Sequence, residues 1–280
     1  MQIGISLPVR EMKNDLAAIK EFAQTAEELG FTHLRVPDQV ARPGVGHLHE
    51  ALTLLAWVAG FTERIELVPS VIILPERETV LVAKQAAEID LLSDGRLRFG
   101  VGVGRSPEEF EALGQEFTTR GRRTDEQIDL LKRLWKHETV EFAGRFDTVN
   151  GIGINPLPEH EIPIWIGHGP VDESGNLAKP VLRRIARSDG WFAVLPREHF
   201  PAAQAEIERI AASDGRDASE IGVEGAIGFV GRETDEWVGD LKAWEDLGAS
   251  HLCLRTLGSD LDSAGHLGEL RAAKDVLDTL

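Results

Sequence analysis

The apolar positions of this chain change period again and again, always in the same order. Residues 2–7 form a short apolar run ended by Pro8. From Asn14 onward Leu16, Ile19, Phe22, Ala23, Ala26 and Leu29 recur at helical spacing, and Gly30 closes the run. Residues 32–36 read as a second strand, with Pro37, Asp38 and Gln39 at its C-terminal end. A loop at 42–46 and an apolar helix over 49–60 lead to a third strand, 65–75, which contains Pro69. Proline cannot donate to a strand ladder, so Pro69 predicts a bulge, an end or an edge. A helix over 80–92 precedes the fourth strand, and a long helix runs from Thr124 through Ile128, Leu131, Leu134 and Trp135. The rhythm breaks over 138–161, where a small hairpin-like excursion with Pro156 and Pro158 predicts an insertion within one domain. It then resumes with strands at 162–167, 191–194, 222–230 and 250–257, each followed by a helix. About eight strand-then-helix units in a row call for a parallel sheet buried by helices. The expectation is an α/β fold, a (β/α)8 TIM-type barrel with an insertion after strand 4, spanning residues 1–280 as one domain.

In such a barrel the chemistry sits where the strands end. That places Pro8, Asp38 with Gln39, residues 70–73, residues 102–105, residues 167–169, residues 191–194 and Arg255 on one rim. The fourth strand carries the richest signal. Gly95 stops the preceding helix; Leu97, Phe99, Val101 and Val103 alternate with Arg98 and glycines; Ser106 and Pro107, followed by Glu108 and Glu109, start a new helix. A dinucleotide fingerprint would need a third glycine after two spacers, and Arg105 or Pro107 stands there instead. What survives is accessible backbone N–H beside Arg105, whose guanidinium suits phosphate or carboxylate, or else pairs with Glu108 or Glu109. Asp38 either accepts from a ligand N–H or O–H or caps a loop. His168, between Gly167 and Gly169, is the histidine placed to donate to a phosphate. His47 and His49 lack the zinc-protease spacing, since Thr53 holds the second histidine's place, and no metal site is expected. Trp57, Trp135, Trp165 and Trp244 read as core or helix-packing residues, and no Ser-His-Asp arrangement is supported.

Charge and cysteine count narrow the partners. The formal net charge is −17, which argues against a nucleic-acid surface or an anionic membrane, so any phosphate must be met by a local patch. The one cysteine, Cys253, sits in an apolar run and reads as a buried, inert thiol; it allows neither an internal disulfide nor a thiolate cage. Without a signal-type or membrane-length apolar segment, a soluble cytoplasmic protein is the expectation.

The order of these motifs resembles the luciferase-like monooxygenase superfamily, which includes bacterial luciferase, FMN-dependent monooxygenases and dehydrogenases dependent on coenzyme F420. The likeness covers nearly the whole chain and is most specific over residues 83–102, with 121–126, 162–167 and 188–191 also matching in order. It implies a cofactor of flavin type, F420 in the leading reading and FMN in the alternative. Ser70 and Val71, together with Ile73, fall where F420-dependent members carry a cis peptide that backs the ring. Asp38 matches a ring-side carboxylate, Val103, Gly104 and Arg105 match cofactor contacts, and Gly167, His168 and Gly169 match the phosphate loop. Where the family has a catalytic histidine, this chain has Gln39, which can hydrogen-bond a substrate oxygen but cannot exchange a proton near neutral pH. Arg105 stands where the sugar-phosphate dehydrogenases of the group carry an acid, which sets that substrate class aside. The resemblance thus implies hydride transfer to or from a small organic substrate, with Gln39 as the candidate catalytic residue. The alternatives are an FMN monooxygenase fed by a separate reductase, and a non-catalytic flavin-binding barrel. A homodimer through barrel-side helices is also implied.

Overall fold

Parallel strands run side by side in the computed structural model, which describes residues 1–41, 44 and 46–280. The loop read at 42–46 therefore falls partly on Arg42, Pro43 and Val45, outside the described residues. In chain order the strands are β1 (Gln2–Ser6), β2 (His33–Val36), β3 (Glu66–Pro69), β4 (Ile72–Ile73), β5 (Phe99–Gly102), β6 (Val140–Ala143), β7 (Thr148–Ile152), β8 (Ile164–Gly167), β9 (Gly190–Phe192), β10 (Gly222–Gly228) and β11 (His251–Arg255). The helices are α1 (Val9–Met12), α2 (Leu16–Glu28), α3 (Ala51–Ala59), α4 (Thr79–Leu92), α5 (Pro107–Ala112), α6 (Arg120–Lys136), α7 (Lys179–Ala186), α8 (Phe200–Ser213), α9 (Thr234–Asp246) and α10 (Ser263–Leu277).

Nine strands form one parallel sheet in the order β3-β2-β1-β11-β10-β9-β8-β5-β4. The third stretch is not one strand but two, because Pro69 ends β3 and the chain turns through a cis Ser70–Val71 peptide before β4. With β3 and β4 counted as one interrupted stave, and Leu67 bridging Leu97, the sheet closes as a TIM-type barrel. The insertion region holds the antiparallel pair β6–β7, apart from the barrel sheet. Two short helices, α1 and α5, lie within strand-to-helix loops, and α5 begins as its sequence predicts, with Ser106 Oγ accepting from Glu109 N–H.

Apolar faces of the helices bury Phe22, Leu55, Val82, Leu131, Ile185, Ile207, Leu241 and Leu270 against the outer face of the barrel. Trp57 departs from the core reading: it is 38% exposed and packs edge-on against Phe61. The barrel interior carries charge. Glu224 is fully buried and accepts from Arg35 at 3.0 Å and Arg98 at 2.6 Å, while Arg98 also reaches Glu66 at 2.7 Å and lies over the Trp165 ring. Burial alone would raise the Glu224 pKa, but His33, Arg35 and Arg98 hold it well below the usual carboxylate range. This layer sits beneath the strand ends and ties them together.

Candidate functional site

The ends of β2, β4, β5 and β8 and the loop after β9 surround a cavity of about 850 Å³. Every candidate site residue read from the sequence lines it: Asp38, Gln39, Ser70, Val71, Ile73, Val103, Gly104, Arg105, Gly167, His168 and Gly169; of the wider rim, Pro8, Ile72, residues 191–193 and Arg255 do not. Val71 forms the shelf of this cavity. A Cβ on Gly102 would stand 2.4 Å from Val71 Cγ2, and one on Gly167 would stand 2.9 Å from Val71 Cγ1. Two adjacent strands thus end without side chains where Val71 crosses them, leaving a flat wall. Arg35 holds the shelf from below by donating to Ser70 Oγ, and Ser70 N–H donates to Val36 O at 2.7 Å.

Asp38 turns its carboxylate into the wall. Oδ2 accepts from Ile73 N–H at 3.1 Å and Oδ1 from Arg77 at 2.9 Å, with no solvent exposure of the carboxylate. Burial raises its pKa against the pull of Arg77. The loop-capping alternative thus describes its contacts, which fix the backbone of β4.

Gln39 reaches the cavity with its amide oriented by Glu109. Nε2 donates to Glu109 Oε2 at 3.0 Å, while Oε1 of the same carboxylate accepts from Val40 N–H at 2.7 Å and Ala41 N–H at 2.9 Å. Glu109 is 1% exposed and lines the cavity. Its three donors come from the loop after β2, so Glu109 is not the partner of Arg105. Arg105 is exposed on the rim; Arg10 and Arg120 also line the cavity, and Arg120 lies 3.8 Å over the Phe117 ring.

His168 is differently poised from the donor expected of it. Nδ1 lies 2.5 Å from Gly169 O, so it carries the hydrogen and donates; in the neutral ring Nε2 is then an acceptor, and it is buried without a partner. Burial lowers its pKa, so donation to a phosphate requires an anion that draws a second proton onto the ring.

Behind Gly104 stands a residue that sequence reading missed. Glu76 is 4% exposed, neither carboxyl oxygen has a hydrogen-bond partner, and burial together with the Glu109 charge pushes its pKa up to about 8. No local pattern marks it, because the carboxylates that act on it, Glu109 of α5 and Asp38 after β2, are distant in sequence. Glu109 was visible in the sequence as a first-turn acid of α5 and an alternative partner of Arg105.

Outside the cavity, His33, Glu224 and Cys253 bring three potential ligand atoms within 4.8 Å of one another. Glu224 is already taken by two guanidiniums, whose charge opposes a metal cation there. Cys253 is fully buried, and burial pushes its thiol pKa up. Among the described residues no helix is long and apolar enough to cross a membrane.

The luciferase-like monooxygenase family model matches residues 1–276. An uncharacterized Mycobacterium tuberculosis protein is 30% identical over 230 residues, covering 76% of this chain and 75% of its own length. An F420-dependent glucose-6-phosphate dehydrogenase of Kineococcus radiotolerans is 35% identical over 157 residues, 54% of this chain and 46% of that protein. An FMNH(2)-dependent dimethylsulfone monooxygenase of Pseudomonas putida is 28% identical over 255 residues, 90% of this chain and 68% of its own. Among solved structures, the monooxygenase RslO1 from Streptomyces bottropensis superposes with a TM-score of 0.82 at 20% identity, covering 99% of this chain and 98% of its own. An F420-dependent secondary alcohol dehydrogenase superposes with a TM-score of 0.81 at 16% identity, covering 98% and 97%. These two likenesses establish the fold.

Proposed function

The chain belongs to the luciferase-like monooxygenase family, and from that premise we propose that it is an oxidoreductase using coenzyme F420 to move a hydride to or from a small organic substrate. Members of the family are F420-dependent dehydrogenases and FMN-dependent monooxygenases. The observation that carries the reading is the flat wall of Val71, Gly102 and Gly167, since a planar ring system needs a face free of side chains. The residues present fit such a group. Val71 would back the ring, Asp38 and Arg77 would keep the β4 backbone in place beneath it, and the buried, unpartnered Nε2 of His168 is available to a phosphate. When bound, the cofactor supplies the hydride acceptor or donor.

The protein's own part is positioning. Glu109 is an acceptor toward Gln39 Nε2, so the Gln39 amide keeps its carbonyl oxygen for a ligand O–H or N–H. Arg105 and Arg120 provide positive charge on a chain of net charge −17, where an anionic ligand needs local compensation. The FMN monooxygenase reading stays as the alternative, supported by the relative that covers 90% of the chain. Titrating the purified protein with F420 and FMN, each oxidised and reduced, separates the two. F420 is expected to bind in the micromolar range or tighter, and Arg105→Ala to weaken it roughly tenfold without changing the thermal midpoint. Tight FMN binding with no response to F420 would overturn the leading reading.

A further inference from the structure

The loop after β2 brings into the cavity one side chain with two faces of opposite hydrogen-bonding sense. The Gln39 amide can show a ligand either its N–H2 or its oxygen. Glu109 decides between them. Its Oε1 accepts from Val40 N–H at 2.7 Å and Ala41 N–H at 2.9 Å, which pins the carboxylate of α5 against the loop, and its Oε2 accepts from Gln39 Nε2 at 3.0 Å. With the amide reversed, Gln39 Oε1 would face Glu109 Oε2, two acceptors at hydrogen-bond distance with no hydrogen between them. Gln39 Oε1 has no partner among the described residues, and both side chains line the cavity. From this loop the cavity is therefore offered acceptors alone. Leu48, Phe117, Val194 and Leu195 give it apolar surface as well, and Val194, although apolar, is exposed. An ammonium group could donate to Gln39 too, but Asp38 is already paired with Arg77, which leaves Glu109 against the guanidiniums of Arg10, Arg105 and Arg120, whose charge opposes a cation.

We propose that Glu109 locks Gln39 as a hydrogen-bond acceptor and so makes the site selective for a neutral ligand with an apolar body and a hydroxyl group, an alcohol in preference to the ketone of the same skeleton. The alcohol O–H donates to Gln39 Oε1. A ketone has no hydrogen to give, and its oxygen would leave Gln39 Oε1 facing another acceptor. Gln39 is the group that meets the ligand; Glu109 acts through it and is a positioning residue. That the alcohol is a redox substrate or product rests on the function proposed above, whereas the selectivity itself does not.

Cyclohexanol and cyclohexanone, both neutral and nearly equal in shape, are the probes. Ligand-observed NMR titration of the whole protein without added cofactor, so that no turnover intervenes, is expected to show the alcohol binding about tenfold tighter or more. Equal affinities, tighter binding of the ketone or no saturable binding of either probe overturns the proposal. Glu109→Gln tests the lock. While its oxygen still takes the backbone N–H groups of Val40 and Ala41, its N–H2 faces Gln39, whose oxygen must turn to meet it and whose own N–H2 then points into the cavity. Ketone affinity should rise roughly tenfold to match that of the alcohol, since an alcohol oxygen accepts as well as donates. A structural role alone would weaken both probes together; that result, or an unchanged preference, overturns the lock. Gln39→Met leaves the clamp on Val40 and Ala41 in place and removes the acceptor, so it should weaken the alcohol about tenfold and leave the ketone unmoved. An unchanged alcohol affinity in this variant overturns the contact, and it decides the matter even where Glu109→Gln does not fold. A protein that binds neither F420 nor FMN overturns the function proposed above, while the alcohol-to-ketone ratio still decides this inference.

Discussion

A single methyl group measures how closely the cavity wall is built. Alanine at position 102 would place its Cβ 2.4 Å from Val71 Cγ2, so Val71 would have to leave its shelf. Overpacking of this kind costs about 1–3 kcal/mol, part of it in folding and part in the shape of the site. For Gly102→Ala we expect F420 affinity to drop roughly tenfold or more, read by fluorescence titration beside a thermal melt. Unchanged affinity would show that the ring does not lie on this wall. Much of the wall was legible in the sequence, because glycines spaced along an apolar strand carry one meaning wherever they occur. Pro69 likewise announced a break in the third strand, which Ser70 and Val71 occupy. Asp38 was legible as a residue but not as a role: its partners Arg77 and Ile73 lie 39 and 35 positions away, and only the closed barrel brings them near.

The same separation hides a device that recurs where elements meet. A carboxylate on one element gathers the N–H groups of neighbouring residues on another. Glu27 near the end of α2 accepts from Glu63, Arg64 and Ile65, the approach to β3. Glu126 of α6 accepts from Arg145, Phe146 and Asp147, the turn between β6 and β7. Glu109 of α5 does so for Val40 and Ala41. In sequence these three are ordinary surface-facing acids of helices, because nothing local records the loop each one binds. Burial alone would raise the Glu27 pKa, but the three N–H groups and the Arg64 charge outweigh it and lower it. A folded-state pKa below the unfolded value gives stability that is present above the unfolded pKa and is lost as the pH falls through the folded one. Glu27→Gln is therefore expected to cost about 1 kcal/mol at neutral pH, after allowance for solvent screening, and to flatten the loss of stability below pH 4 or so. Urea melts across the acid range check both parts, and parallel curves for the two proteins would refute the charge-assisted account.

For the molecule as a whole, period and turn chemistry were enough to write the barrel, since each helix hides one face and each strand is covered on both. The charged interior was not legible, because Arg35 on β2, Arg98 just before β5 and Glu224 on β10 meet only when the sheet closes. Replacing Glu224 with leucine leaves two guanidiniums facing each other inside the barrel, and a loss of about 3 kcal/mol or more is expected in urea melts. The wild-type contribution of Glu224 is present above the ordinary carboxylate range and disappears as acid titrates it. Arg35 also gives the interior a second consequence. One guanidinium holds Ser70 in the cavity and Glu224 on β10, a strand that contributes no residue to the cavity lining. A ligand that steadies the Val71 shelf therefore damps the opening of a stave it never touches, and amide hydrogen exchange over residues 222–228 should slow when the cofactor binds.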